Sequence, residues 1–175
     1  MEERRPDPVR PTDDEARALA RRLLAEADHA ALGVLDPETG GPHVTRVAVA
    51  SADGVPLTLI SSLSHHTAAL RADPRCSLLV GEPGPRGDPL THPRLTLLAL
   101  ARPAPPDERA ALRALWLARH PKARLYVDFA DFAFVRLVPS GAHLNGGFGR
   151  AYRLGPADLR DPPGAALRQP PPASA

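Results

Sequence analysis

The stretch Ser61-Ser62-Leu63-Ser64-His65-His66-Thr67-Ala68-Ala69-Leu70-Arg71-Ala72-Asp73-Pro74-Arg75-Cys76-Ser77-Leu78-Leu79-Val80 decides how the chain is read. It runs as strand end, polar turn, short helix over His65–Ala72 and a strand over Cys76–Val80, with Asp73-Pro74 stopping the helix. The run before it, Val55 to Ile60, is apolar and β-rich. Hydroxyls and two adjacent imidazoles thus gather where a helix begins. Backbone N–H groups there lack intrahelical partners, and the helix dipole favours an anion. The same residues also suit plain N-capping.

On the N-terminal side, prolines and charges in residues 1–11 predict a flexible segment. Thr12-Asp13-Asp14-Glu15 is a capping-box pattern. Ala16, Leu19, Ala20, Leu23, Leu24 and Ala27 then mark one face of an amphipathic helix ending near Asp28. Ala30–Leu35 and His43–Ala50 read as strands around the turn Asp36–Pro42, and Asp53-Gly54 turns the chain into Val55–Ile60. Two successive hairpins favour a barrel or open antiparallel sheet.

On the C-terminal side, Gly81–Pro89 is a Gly/Pro loop and Arg94–Ala101 a Leu-rich strand. Pro106 opens a helix through Leu112, Leu115 and Trp116 that stops before His120-Pro121. A shorter helix is expected around Ala123–Tyr126. Phe132–Val138 is a strand with Phe132, Phe134 and Arg136 on one face, and Ser140-Gly141 is read as a turn. Asn145-Gly146-Gly147-Phe148-Gly149-Arg150 is either a bulge or hairpin turn, or a loop closing over a ligand or a dimer seam. Residues 161–175 are Pro-rich and expected to be disordered. The count is about six or seven strands, mostly antiparallel, with about three peripheral helices: a small β-barrel of the α+β class.

Composition bounds the function. The chain has 175 residues, 43% hydrophobic but only 4% aromatic, so its core is built from Leu, Val and Ala. Net charge is +2 with basic residues dispersed, which does not indicate a nucleic-acid face. The single cysteine, Cys76, excludes an intramolecular disulfide framework and a cysteine zinc cluster, and in an apolar strand it reads as inert core. No apolar run approaches the ~18 residues of a membrane span, and the first residues carry no secretory h-region. The expectation is a soluble cytoplasmic protein. His65, His66, His92 and His143 lack the spacing of a metal site, so no metal is expected. Asp128 and Asp131 read as a solvated turn and not as an acid/base pair.

Taken in order, the hairpin with Thr45-Arg46-Val47, Ser64-His65-His66, Asp73-Pro74-Arg75 and a strand opening on Arg94 resemble a known family. It is the FMN-binding split barrel of pyridoxamine 5′-phosphate oxidase and its relatives. The resemblance spans roughly Ala16 to Leu154. Gly87-Asp88-Pro89-Leu90-Thr91-His92-Pro93-Arg94 and Leu144–Ala151 are most similar to its haem-utilisation branch. The resemblance implies one split-barrel domain over 12–160, binding FMN between the subunits of a homodimer and acting on a small-molecule substrate as an oxidoreductase.

It also implies roles. Arg46 would meet the flavin phosphate and ribityl chain, with backbone at Val47 along the ring. Ser64, His65, His66 and Thr67 would grip the phosphate, and Ser61 and Ser62 would flank the flavin. Arg94 would face the ring; its alternative is a strand-edge charge capping the Gly/Pro loop. Asn145 and Gly147 would close over the ring or the dimer seam.

The chain departs from the family's Ser-Arg-Lys triplet, because both basic residues are histidine. The Lys expected five positions after Arg46 is Ser51, and no Arg stands two before His143. Pyridoxamine phosphate oxidation is therefore not expected. Besides an FMN oxidoreductase, the residues admit a haem-binding or haem-degrading split barrel using a histidine near the dimer cleft. They also admit a non-enzymatic relative that has lost its cofactor.

Overall fold

The computed structural model describes residues 9–161. Within them nine strands form one mixed sheet with helices packed on it, a split barrel. The amphipathic pattern after Thr12 becomes α1, Asp14–Glu26, which buries Ala16, Ala20 and Leu24. Its cap is Asp13 and not Thr12: the Asp13 carboxylate accepts from the Ala16 N–H at 2.7 Å. The Thr12 hydroxyl instead donates to the Arg153 carbonyl at 2.6 Å. The expected flexible N-terminus also ends early. Val9–Arg10 forms β1, parallel to β9, Ala151–Leu154. Residues 1–8, and the expected disordered tail from 162 onward, lie outside the described residues.

Strand β2, His29–Leu35, alternates buried and half-buried positions, as a strand over a core must. It pairs antiparallel with β3, Pro42–Ala48. The run expected as one strand to Ala50 breaks at Val49, whose N–H turns to the Asp28 carbonyl at 2.9 Å. The short β4, Ala50–Ala52, then pairs with β5, Val55–Ser61. Next come α2, His65–Ala72, β6, Arg75–Val80, and β7, Arg94–Pro103. A 3-10 turn at Pro106–Glu108 leads into α3, Arg109–Arg119, and a second follows at Pro121–Leu125.

The long strand β8, Phe132–Asn145, corrects the turn expected at Ser140-Gly141. The pairing with β7 runs from Arg94↔Asn145 to Pro103↔Val135 and slips once, because Leu98 faces Gly141 while Ala99 faces Pro139. Ser140 is the extra residue of a β-bulge, its hydroxyl donating to the Leu98 carbonyl at 3.1 Å. The bulge changes side-chain parity. Val135 and Leu137 point into the core before it, and Ala142 and Leu144 after it. The first half of β8 also pairs with β5, and its far end with β9.

Two cores result. The larger lies inside the barrel, with Leu32, Leu78, Leu95, Leu97, Leu137 and Leu144 at most 2% exposed. The smaller lies under α3, where Leu112 and Trp116 cover Leu57, Leu59 and Phe134. Trp116 is 1% exposed and stands 5.9 Å from the Phe134 ring, so it is packing. Cys76 is partly buried in β6. Desolvation pushes its thiol up to about 11, and its Sγ lies 3.5 Å from the Ala99 carbonyl. Among the described residues no helix is long and apolar enough to cross a membrane.

Two turn glycines separate strain from collision. Gly40 has φ +68° with open space where a Cβ would stand; Gly54 has φ +72°, and a Cβ there would meet the Leu159 carbonyl oxygen at 2.3 Å. Gly40→Ala is expected to cost about 1–2 kcal/mol of left-handed strain. Gly54→Ala should cost clearly more, since the backbone behind it must also shift. Urea unfolding of both variants checks this, and equal losses would refute the packing argument.

Candidate functional site

The polar turn before α2 is tied down from several sides. The Ser61 hydroxyl donates to Asp131 Oδ2 at 2.5 Å and accepts from the Leu63 N–H at 3.1 Å. The Ser62 N–H reaches the Asp131 carbonyl at 2.7 Å, and the Thr67 hydroxyl donates to the Ser61 carbonyl at 2.7 Å. The start of α2 is therefore fixed to the start of β8. Ser64 is the N-cap residue, but its side chain makes no capping bond.

A cleft of about 280 Å³ opens beside this turn. Arg46, Val47 and Ala48 of β3 form one wall, Leu59, Ile60 and Ser61 of β5 another, and Ser64 and His66 the head. Tyr126 and Phe132 close it, their rings 5.2 Å apart. Of the residues singled out in the sequence, the structure brings together Arg46, Val47, Ser61, Ser64 and His66 here. Ser62 and Thr67 line a neighbouring groove instead.

The two adjacent histidines part company, because successive helical side chains point about 100° apart. His65 turns outward: its Nε2 is 2.7 Å from Asp36 Oδ2, and its ring stands edge-on to His43 at 4.7 Å. Asp36 lies low, at about 2, held there first by the Thr39 N–H and also by His65. His66 turns to the cleft. Its Nδ1 is 3.2 Å from the Thr45 hydroxyl, and its buried Nε2 has no partner among the described residues. Burial, aided by repulsion from His43 and His65, lowers the His66 pKa below the ordinary 6.5. The charged form of this imidazole is disfavoured. Arg46 is then the one permanent cation on the cleft wall, exposed and without a hydrogen-bond or ion-pair partner among the described residues.

Arg94, Asn145 and Gly147 lie elsewhere. Arg94 Nη1 donates to the Leu90 carbonyl at 2.9 Å, capping the Gly/Pro loop. The Asn145 side chain accepts from the Gly147 N–H at 3.0 Å inside the β8–β9 hairpin turn. Arg94 pairs with Asn145 at the end of β8 away from Phe132. Asp128 pairs with Arg113 at 2.7 Å, apart from Asp131. Among the described residues no group of three or more His, Cys, Asp or Glu could hold a metal.

Sequence reading missed Tyr126, Phe132 and Asp131 as parts of the cleft or its support. The aromatic side of β8 was visible as Phe132 and Phe134 on one face, but nothing local linked that strand to Ser61.

A half-opened barrel with a polar helix start facing an apolar cleft defines the split-barrel class related to pyridoxamine phosphate oxidase. The chain belongs to the CREG β-barrel family, whose model matches residues 11–159. It is 41% identical over 102 residues to the chloroplastic "Non-canonical heme oxygenase HOZ" of Arabidopsis thaliana, a match covering 58% of this chain and 30% of that protein. It is similar to a heme binding protein from Mycobacterium smegmatis, with TM-score 0.77 and 31% identity, over 86% of this chain and 61% of that one. It is also similar to Atu2129, of unknown function, from Agrobacterium tumefaciens, with TM-score 0.76 and 36% identity, over 89% and 66% of the two chains. The chain thus spans less than two thirds of each of these relatives.

The histidines give the fold a pH dependence with a definite sign. His66 and His120 are both lowered by burial, so the unfolded chain takes up their protons more readily. Stability should therefore be full above about pH 6.5 and fall on acidification from there through each folded pKa. Thermal unfolding from pH 7 to pH 5 should show a falling Tm, with a shallower slope in His66→Gln/His120→Gln. An unchanged slope would rule these residues out as its source.

Proposed function

We propose that the chain binds haem in the cleft of Arg46, His66 and Phe132. The observation that carries this is His66, which keeps an uncharged nitrogen with no partner at the cleft wall where an FMN site calls for permanent positive charge. A phosphate dianion would meet Arg46 alone. A tetrapyrrole asks for different groups, and they are present: a cation for a propionate at Arg46, an apolar wall from Val47 to Ile60, an aromatic floor, and a neutral imidazole. Bound haem would supply iron redox chemistry; the chain's part is to hold the ring edge and exclude water from its apolar face. The names of the Arabidopsis and Mycobacterium relatives support the reading. FMN is the second reading, favoured by the uncapped Ser64 hydroxyl beside Arg46 at the start of α2.

The working unit in this proposal is a homodimer. The cleft volume sits below the ~300–1,000 Å³ of ordinary ligand pockets, so one chain supplies only part of a site. The outer face of β6, β7 and β8 leaves Leu79, Leu98 and Val138 at least 40% exposed. Gly33 and Ser77 continue that face across the paired strands, with Arg75 at its edge. Val138 stands near the middle of β8, and Leu98 lies beside that strand on β7, opposite Gly141. A two-fold axis there would bring the Arg94–Asn145 end of one copy to the Phe132 end of the other, joining the two separated groups of residues.

Two measurements follow. Haem added to the purified protein should give a Soret band and quench the Trp116 emission, with Arg46→Ala weakening binding by about 1.5 kcal/mol, the loss of one charged hydrogen bond. Flavin absorbance in the purified protein without haem uptake would favour FMN, and uptake of neither would identify a relative that has lost its cofactor. Leu98→Glu should shift the sedimenting species from dimer to monomer; an unchanged species would move the contact off this face.

A further inference from the structure

A second groove lies beyond the Ser61–Asp131 tie and shares only Ile60 with the cleft. At about 430 Å³ it is the larger of the two and falls within the range of small-molecule sites. Its floor is apolar, built from Ile60, Leu70, Ala101 and Val135, each at most 8% exposed. Arg71 and Arg102 stand on its rim, and neither has an acidic partner among the described residues.

Arg102 is conspicuous in its register. It sits directly across from Arg136 on β8, and like charges in that relation are destabilising. Arg136 is relieved by an ion pair with Glu108, while Arg102 is not. Asp131, the carboxylate that lines the groove, already accepts the Ser61 hydroxyl. Two unneutralised guanidinium groups above an apolar floor complement a molecule with an anionic end and an apolar body. We propose that this groove is a binding site for an amphipathic carboxylate, separate from the haem cleft, with Arg71 and Arg102 taking the carboxylate and the Ile60–Val135 floor taking the apolar body. A fully ionic anion such as free phosphate would leave that floor unused.

Calorimetric titration of the full chain with palmitate, and separately with 1-pyrenebutyrate, a flat-ring carboxylate that is not a tetrapyrrole, tests the site. At least one probe should bind, and which one does assigns the body as an acyl chain or a flat ring. Arg71→Gln/Arg102→Gln should weaken that binding about tenfold or more, the loss expected when a charge-assisted hydrogen bond goes. Ala133→Trp, at an exposed position lining the groove, should abolish it by filling the space. Arg46→Ala should leave it unchanged. Binding that survives both groove variants, or is lost only with Arg46→Ala, overturns the proposal. So does failure of both probes to bind, as would follow if a second copy covered the groove.

Discussion

One strand has to serve both halves of this molecule. β8 is shared by β7 along nearly its whole length, by β5 at one end and by β9 at the other. A regular strand of that length would present one parity to the barrel, and either Val135 and Leu137 or Ala142 and Leu144 would face water. Ser140 removes the conflict by inserting one residue, so both pairs are buried. The same arrangement leaves Phe132 and Phe134 on the opposite side, where one joins the cleft and the other the core under α3. The barrel, the second core and the aromatic floor of the cleft all depend on that single slip in register.

Charge distribution then sets what the cleft can hold. Burial and two neighbouring imidazoles disfavour a proton on His66, while Asp36 ties His65 to the β2–β3 turn. The two residues that stand in for a basic pair are therefore a cleft imidazole in which burial disfavours the charged form and a surface imidazole hydrogen-bonded to Asp36. Arg46 keeps its charge and its freedom. An apolar cleft with one mobile cation suits a large ring bearing a peripheral acid better than a compact dianion, because the ring recovers its desolvation through contact area.

Local chemistry made much of this legible from residues alone. Ser64 before and Asp73-Pro74 after bracket α2 unambiguously, and the helix runs over His65–Ala72 as read. Val55 to Ile60 is apolar but for Thr58, whose hydroxyl donates to the Ala48 carbonyl, because β5 is buried on both faces, by the barrel on one side and α3 on the other. The misreadings share a cause: the deciding partner is distant. Ser140-Gly141 has turn residues, yet β7 decides between turn and bulge. Val9–Arg10 becomes a strand only because Ala151–Tyr152 offers an edge. Thr12 and Asp13 are both competent caps, and the Arg153 carbonyl claims the Thr12 hydroxyl. The grouping of Arg46 with His66 was visible through family resemblance. The place of Arg94 and Asn145 at the other end of β8 from Phe132 was not, since the β7–β8 register decides it.

Cys76 gives this architecture a built-in clock. Its thiol is the only one in the chain, half-shielded between β2 and β7, and it is held protonated far above neutral pH. The thiolate is the reactive form, so an alkylating reagent meets almost none of it while the barrel is closed. Modification is therefore fastest when β6 separates from its neighbours. The labelling rate under native conditions therefore reports openings of the barrel seam without any engineered probe, and counts them one by one where labelling outpaces reclosing.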